Sequence, residues 1–141
     1  MFVAILHRID GEKEEGECKF EDVPSGAYYE KAVAWASTNG IVAGISATEF
    51  NPNADITREQ MAAILYRYAN YKKIETQVGD NTNILSYDYN DISEYAIPSM
   101  QWAAGSGLMV GKTDITLNPK DNATRAEAAA VFMRFVENFN D

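Results

Sequence analysis

Residues 56–61 read Ile-Thr-Arg-Glu-Gln-Met, and residues 123–128 read Ala-Thr-Arg-Ala-Glu-Ala. In each stretch a threonine is followed three residues later by Gln or Glu, which predicts a helix N-terminus with a capping box. In that motif the hydroxyl accepts from the third backbone N–H, and the longer side chain accepts from the N–H of the cap itself. The paired residues are Thr57 with Gln60 and Thr124 with Glu127.

Each threonine is followed by an arginine, Arg58 or Arg125. A helix N-terminus carries roughly +0.5 of an elementary charge, so a cation in the first turn is unfavourable by about 0.3–1 kcal/mol. Two arginines at matching positions indicate a common anionic ligand. The alternative is that Arg58 pairs with a nearby carboxylate, Asp55 or Glu59. The second stretch has no acid at either position, so such a pair could not explain why both repeats carry the arginine.

The two stretches belong to a longer internal repeat. A shift of 67 residues brings many identical or similar residues into register. A repeat of this length predicts one supersecondary unit per copy, whose apolar face is buried by its neighbours. The aligned pairs are Trp35 with Trp102, Gly40 with Gly107, Gly44 with Gly111, Phe50 with Leu117, Pro52 with Pro119, Thr57 with Thr124, Arg58 with Arg125 and Arg67 with Arg134.

A partial third copy precedes these two, because residues 4–8 match residues 63–67. The repeat pattern predicts the last helix of a truncated repeat at 1–10, a repeat at 20–71, a linker at 72–86 and a repeat at 87–137. His7 occupies the repeat position of Tyr66 and Met133, so we interpret it as a helix-face residue and not as a ligand.

Two helices are predicted in each complete repeat. The first lies near residues 28–39 and ends at Gly40, where a left-handed glycine followed by Ile41 is typical of a Schellman motif. The second runs from about residue 58 to 71. Its apolar stripe has the helical spacing i, i+3, i+4, i+7. The predicted stripes are Met61, Ile64, Leu65 and Tyr68 in one copy, Ala128, Val131, Phe132 and Phe135 in the next, and Ile5, Leu6 and Ile9 in the partial copy.

Composition excludes several classes of function. With 12 basic and 21 acidic side chains the formal net charge is -9, so long-range electrostatics repels nucleic acid. The chain has no apolar run near the roughly 20 residues that span a membrane, and we expect no membrane insertion. A single cysteine, Cys18, excludes an intrachain disulfide.

Metal, cofactor and catalytic chemistry are not indicated by the sequence. The acidic residues from Asp80 to Asp91 lack the glycine and terminal glutamate of a calcium loop, and we predict no metal site. The only histidine lies on the partial helix and no nucleophile–base set recurs. We therefore expect a protein that is not an enzyme and needs no cofactor.

The ordered motifs resemble a known family, the surface-layer homology (SLH) repeat. They extend from the segment around Asp22 through the Trp35 helix and the glycine loop to the Thr-Arg motif, and they occur twice in the same order. The resemblance implies an all-α fold, mainly helical with irregular loops. It also implies tandem repeats packed as part of a three-pronged pseudo-trimeric helical bundle.

The resemblance also implies a function. SLH repeats bind secondary cell-wall polysaccharide, often bearing ketal-linked pyruvate, in the grooves between repeats, and they anchor exported proteins to the Gram-positive cell wall. An extracellular location at the cell wall or surface layer is therefore expected. The ligand-binding residues implied here are Arg58, Arg125, Trp35, Trp102, Asp22, Asp91, Gly44, Gly111, Thr57, Thr124 and Glu127.

Alternatives stay open at several of these positions. Each tryptophan could offer a flat face to a sugar or could be core packing between helices. Asp22 and Asp91 could bind ligand or cap the segment that enters the first helix. For the whole chain, the alternative to polysaccharide binding is a structural module that assembles with like modules, including a homo-oligomer formed through the truncated first repeat.

Overall fold

The computed structural model describes residues 2–11, 16–42, 48–50, 56–74, 91–105 and 119–139. These residues are mainly helical, and their one isolated β-bridge joins Thr57 to Asn122. The predicted all-α class is confirmed. The helices are α1 (Phe2–Ile9), α2 (Glu30–Thr38), α3 (Arg58–Tyr71), α4 (Ile97–Gly105), preceded by a 3-10 turn at Glu94–Ala96, and α5 (Arg125–Phe139).

The chain divides into two compact units, Met1–Ala54 and Asp55–Asp141. The division falls inside a sequence repeat and not between repeats. As a result, the first unit joins the last helix of one repeat to the first helix of the next, and the second unit contains the same kind of junction. The domain bounds expected from the sequence stay a prediction.

In the first unit α1 packs against α2. His7 is 7% exposed, and its ring lies 5.3 Å from that of Trp35, which is fully buried. The predicted stripe of α1 is partly wrong, because Ile5 and Ile9 are 39% and 41% exposed. The face that α1 turns inward instead includes Val3, Ala4, Leu6 and His7, and Asp10, directly after the helix, is also buried.

The end of α2 confirms the predicted Schellman motif. Gly40 adopts a φ of +74°, which a glycine reaches without a steric penalty. The Gly40 N–H donates to the Ser37 carbonyl at 3.3 Å, and the Ile41 N–H donates to the Ala36 carbonyl at 2.8 Å. Ile41 is fully buried and supplies the hydrophobic contact of the motif. The equivalent Gly107 lies outside the described residues.

A second cluster in this unit fixes the segment that leads into α2. Phe20, Val23 and Val33 form its core, and Phe50 packs against them with its ring 5.3 Å from that of Phe20. The Phe50 N–H donates to the Asp22 carboxylate at 2.8 Å. These contacts anchor Phe50 and link two loops of the repeat.

In the second unit α3 packs against α4 through an aromatic cluster. The ring of Tyr66 contacts Trp102 edge-to-face at 5.8 Å, which repeats the His7–Trp35 contact of the first unit. Phe135 of α5 contacts both Trp102, at 6.4 Å, and Tyr68, at 5.8 Å. Met61 and Leu65 are fully buried and Tyr68 is 2% exposed, so most of the predicted stripe of α3 faces the core.

Candidate functional site

The helix start of α3 is docked on the segment that precedes α5. Arg58 N–H donates to the Asp121 carbonyl at 2.9 Å, and Glu59 N–H donates to the Pro119 carbonyl at 3.0 Å. In the other direction, the Ala123 N–H donates to the Ile56 carbonyl at 2.8 Å. The two Thr-Arg motifs, distant in sequence, are therefore neighbours in the second unit.

The first capping box is confirmed. Thr57 Oγ1 accepts from the Gln60 N–H at 3.2 Å, and Gln60 Oε1 accepts from the Thr57 N–H at 2.8 Å. With Arg58 and Glu59 bonded to the docked segment, four donors at this helix start have protein acceptors. The capping box and the docked segment thus satisfy the backbone donors that a helix start otherwise leaves without an intrahelical partner.

Only half of the second capping box has its expected partner among the described contacts. Thr124 Oγ1 accepts from the Glu127 N–H at 3.0 Å, as predicted. The Glu127 carboxylate, however, accepts from the Arg58 guanidinium and forms an ion pair with it. Glu127 therefore joins the two helix starts of this unit.

Arg58 is buried within this pair. Its side chain is 4% exposed, and that of Glu127 is 24% exposed. A guanidinium held by a carboxylate needs no external anion, so the geometry favours the pairing alternative, with an acid from the other repeat instead of Asp55 or Glu59. A ligand role for Arg58 stays a prediction. The side chain of Arg125 lies outside the described residues.

Both tryptophans are core residues in the described structure. Trp35 is fully buried and Trp102 is 2% exposed. Each ring contacts an aromatic residue of the preceding helix, so its position favours the packing alternative over a flat surface for a sugar.

The remaining predicted residues are scattered. Asp22 binds the Phe50 N–H, as described above, and Asp91 is exposed at the start of the segment before α4. Gly44 and Gly111 lie outside the described residues. Among the site residues predicted from sequence, the structure brings together Thr57, Arg58, Thr124 and Glu127, all at the docked helix starts.

A polar cluster that the sequence did not reveal lies on the other side of the α3 start. Glu59 is 2% exposed, and its Oε1 lies 2.8 Å from Lys120 Nζ. The ammonium of Lys120 also donates to Ser93 Oγ. Tyr95, 53% exposed, lies close enough to Glu59 for the carboxylate charge to act on its phenol. We call these four residues the Glu59 cluster.

Electrostatics within the cluster acts on Tyr95. Burial and the negative charge of Glu59 raise the pKa of Tyr95 above its ordinary value of 10.0, and the positive charge of Arg67 offsets part of the increase. The phenol is therefore protonated at neutral pH. The sequence contained one signal for this position, because Tyr95 aligns with Tyr28 under the repeat shift. In the structure both side chains are exposed.

Two other kinds of site do not occur among the described residues. No group of three or more His, Cys, Asp or Glu side chains there could hold a metal ion. No helix in that part of the chain is long and apolar enough to cross a membrane.

Comparison with known proteins identifies the repeat. A family model described as the S-layer homology domain matches residues 19–62 and 87–129. A surface-layer 125 kDa protein of Lysinibacillus sphaericus is 35% identical over 127 residues, which cover 88% of this chain and 10% of that protein.

Two relatives bear the names of enzymes. An amylopullulanase of Thermoanaerobacterium thermosulfurigenes is 36% identical over 140 residues, which cover 96% of this chain and 7% of the enzyme. An exoglucanase of Acetivibrio thermocellus is 33% identical over 142 residues, which cover 99% of this chain and 13% of the enzyme. The chain thus spans about a tenth of the length of these relatives.

Proposed function

Because the chain belongs to the S-layer homology (SLH) domain family, we propose that it binds a pyruvylated secondary cell-wall polysaccharide through grooves between consecutive repeats. SLH domains are non-catalytic anchoring modules that bind secondary polymers of the cell wall in surface-layer proteins. The chain is accordingly an extracellular module located at the cell wall or cell surface. What we propose beyond the family and the location is that the glycan is pyruvylated and that it binds in the grooves between repeats.

The observation that carries the proposal is the repeated junction between consecutive repeats. In both units the last helix of one repeat meets the first helix of the next, with an aromatic ring of the former on a buried tryptophan of the latter. A rigid helix pair of this kind fixes the surface residues on either side of it. Such preorganisation lowers the entropic cost of binding an extended polymer.

The ligand chemistry follows from the charge of the chain. A pyruvate ketal presents one carboxylate, and a protein of net charge -9 must capture it with local donors. Guanidinium and ammonium groups supply charge-assisted hydrogen bonds to such a group. Arg125 stays a proposed donor, whereas the buried pair of Arg58 with Glu127 makes Arg58 the weaker candidate.

Co-sedimentation with purified polysaccharide tests this function. The chain should bind native cell-wall polysaccharide carrying pyruvate, and binding should fall at least tenfold when mild acid removes the ketal. A neutral glucan of similar length is the control for non-specific retention. Equal binding to the native and the pyruvate-free polymer would contradict the proposal.

Self-assembly is a second candidate function, favoured by one observation on α5. Met133 occupies the repeat position of His7 and Tyr66, yet it is 57% exposed, and Val136 beside it on the same helix is 38% exposed. A second copy of the chain could cover these apolar side chains. Sedimentation velocity of the chain and of Met133→Glu tests it: a dimer abolished by the substitution supports assembly, and a monomer at all concentrations contradicts it.

A further inference from the structure

We propose that α5 pairs with α5 of a second copy of the chain, antiparallel and about a two-fold axis. The inference rests on the self-assembly function proposed above, and it deepens that function by assigning the contact residues, the direction of the helices and their register. We call the contact the α5 seam. It consists of four side chains on the solvent side of the helix: Ala126, Ala129, Met133 and Val136.

The α5 seam has the spacing of a helix–helix contact. Its residues follow one another at intervals of three, four and three, so they form one stripe of the a and d type along about three turns. The stripe is separate from the core face of α5, where Val131, Phe132 and Phe135 are buried. All four seam residues are exposed, Met133 to 57%. The helix is therefore apolar on two sides, and the seam is its outer side.

The repeat relates the seam to two faces that already receive a helix. At the equivalent positions of α1 and α3, His7 and Tyr66 contact the tryptophan of the following helix. The stripe neighbours Val3 of α1 and Ala62 of α3 are buried at these contacts. A face that binds a helix in two copies of the repeat is exposed in the third, which indicates that it too is a helix-binding face.

The composition of the seam favours a second α5 over a tryptophan-bearing helix. The position that contacts the tryptophan carries a ring in the other two copies, His7 or Tyr66, but a flexible thioether, Met133, in α5. The other two copies also include one acid at these stripe positions, Asp10 or Glu59, whereas the seam carries no charge. The seam therefore lacks the ring contact of the known junctions and is apolar throughout.

The order of small and large side chains specifies the direction of the pair. The two alanines lie toward the start of α5, and the two larger residues toward its end. In an antiparallel pair whose axis lies midway between residues 129 and 133, Ala129 is opposite Met133 of the second copy, and Ala126 is opposite Val136. Each large side chain then meets a small one, which allows close approach of the helices. A parallel pair would set methionine against methionine and leave a gap between the alanines.

The size of the seam predicts a weak pair. Four side chains on one helix cover much less than the roughly 800 Å² per partner that stable complexes bury. We therefore expect a dissociation constant of about 0.1–1 mM for chains free in solution. Copies held side by side on a cell surface reach local concentrations on the order of 1 mM. The pair thus links neighbouring copies where they are concentrated.

Sedimentation velocity of the whole chain, from about 10 µM to about 2 mM, tests the contact residues. Wild type should shift from monomer toward dimer over this range. Met133→Ala and Ala129→Met should each weaken association at least about fivefold, because the first opens a gap and the second sets two methionines against each other. The double variant exchanges the small and the large residue and should associate within about threefold of wild type.

Disulfide formation tests the direction of the pair. In a Cys18→Ser background, chains with Ala129→Cys are mixed with chains with Met133→Cys, and one of the two carries a size tag. A disulfide needs Cβ atoms about 4 Å apart, so the antiparallel register predicts cross-links mainly between the two different chains. Cross-links mainly between identical chains would show a parallel pair and would overturn the proposal.

A matched control is available on another helix. Ile5 of α1 is an exposed apolar residue outside the seam, 39% exposed. Ile5→Ala removes a side chain of similar size to that removed by Met133→Ala, and it should leave association within about twofold of wild type. Equal weakening by the two substitutions would mean that exposed apolar area in general, and not the seam, drives association, and this result would overturn the proposal.

The outcomes separate this inference from self-assembly itself. If wild type dimerises and the seam variants dimerise equally well, the seam is overturned while self-assembly through another surface stands. If Met133→Ala weakens the dimer but the double variant does not restore it, the seam binds a different element of the second copy and the self-pairing of α5 is overturned. A wild-type chain that is monomeric at every concentration overturns both.

Discussion

Arg58, in the first turn of α3, forms an ion pair with Glu127, in the first turn of α5, although 69 residues separate them in sequence. The pair connects the Thr-Arg motif of one repeat to that of the next. Its two members differ in exposure, because the arginine side chain is 4% exposed and the glutamate side chain 24%. This difference makes the consequences of substitution unequal.

We expect Glu127→Gln to destabilise the protein more than Arg58→Met. The first change leaves a buried guanidinium without its carboxylate, at a cost of about 3 kcal/mol, whereas the second leaves a partly solvated carboxylate, at about 1–2 kcal/mol. The double variant should lose less than the sum of the two, because it leaves neither charge unpaired. Urea unfolding gives the free energy of unfolding of all three variants. If the loss in the double variant equals the sum of the two single losses, the two side chains do not form a direct pair.

Trp102 should be a stability residue. Its contacts with Tyr66 and Phe135 are buried, so Trp102→Ala should lower the free energy of unfolding by about 3–5 kcal/mol. Tyr28→Ala, at a residue 72% exposed, should change it by less than about 0.5 kcal/mol. A Trp102→Ala protein that unfolds like wild type would contradict the core assignment.

Lys73 is a site for stabilisation. The end of α3 closes with the Schellman hydrogen bonds of Ile74 to Ala69, 2.9 Å, and Lys73 to Asn70, 3.1 Å, but Lys73 has a φ of +60° where glycine is favoured. We expect Lys73→Gly to raise stability by about 0.5–1 kcal/mol. Lys72→Gly, where φ is -82°, is the matched control and should not stabilise. Thermal unfolding of the two variants makes the comparison.

Alkaline pH should weaken the fold through Tyr95. Its pKa is raised in the folded protein, so the unfolded chain loses the phenol proton first as the pH rises through 10.0. The stabilising contribution is complete below that pH and is lost as the pH approaches the folded-state pKa. The free energy of unfolding, measured with urea between pH 8 and 11, should fall less steeply with pH for Tyr95→Phe than for wild type. Identical slopes would show that Tyr95 does not titrate as described.

Local patterns predicted local structure well. The bounds of α3, the capping box of Thr57 and the Schellman motif at Gly40 each depend on residues within one or two turns, and all three are confirmed. The resemblance of the ordered motifs also identified the family. These features arise from short-range hydrogen bonding that the sequence specifies directly.

Contacts between repeats were harder to predict. The sequence suggests Asp55 or Glu59 as a carboxylate partner for Arg58, whereas in the structure the partner is Glu127 of the next repeat. The inward face of α1 depends on where Trp35 lies, which the periodicity of a short helix does not specify. Glu59 and Lys120 pair only because α3 docks on the segment before α5. Each of these contacts depends on how the helices pack in three dimensions, and aligning the repeat sequences does not show that packing.

The division of the chain inside a repeat affects how such modules can be recombined. An exchange at the sequence boundary of a repeat separates Tyr66 from Trp102, or His7 from Trp35, and gives each tryptophan a new neighbour. Histidine and tyrosine already alternate at that position, so the interface accepts more than one ring. Shuffled arrays should therefore remain folded when an aromatic side chain precedes each junction, and an array that places a small residue there should lose cooperativity between adjoining units.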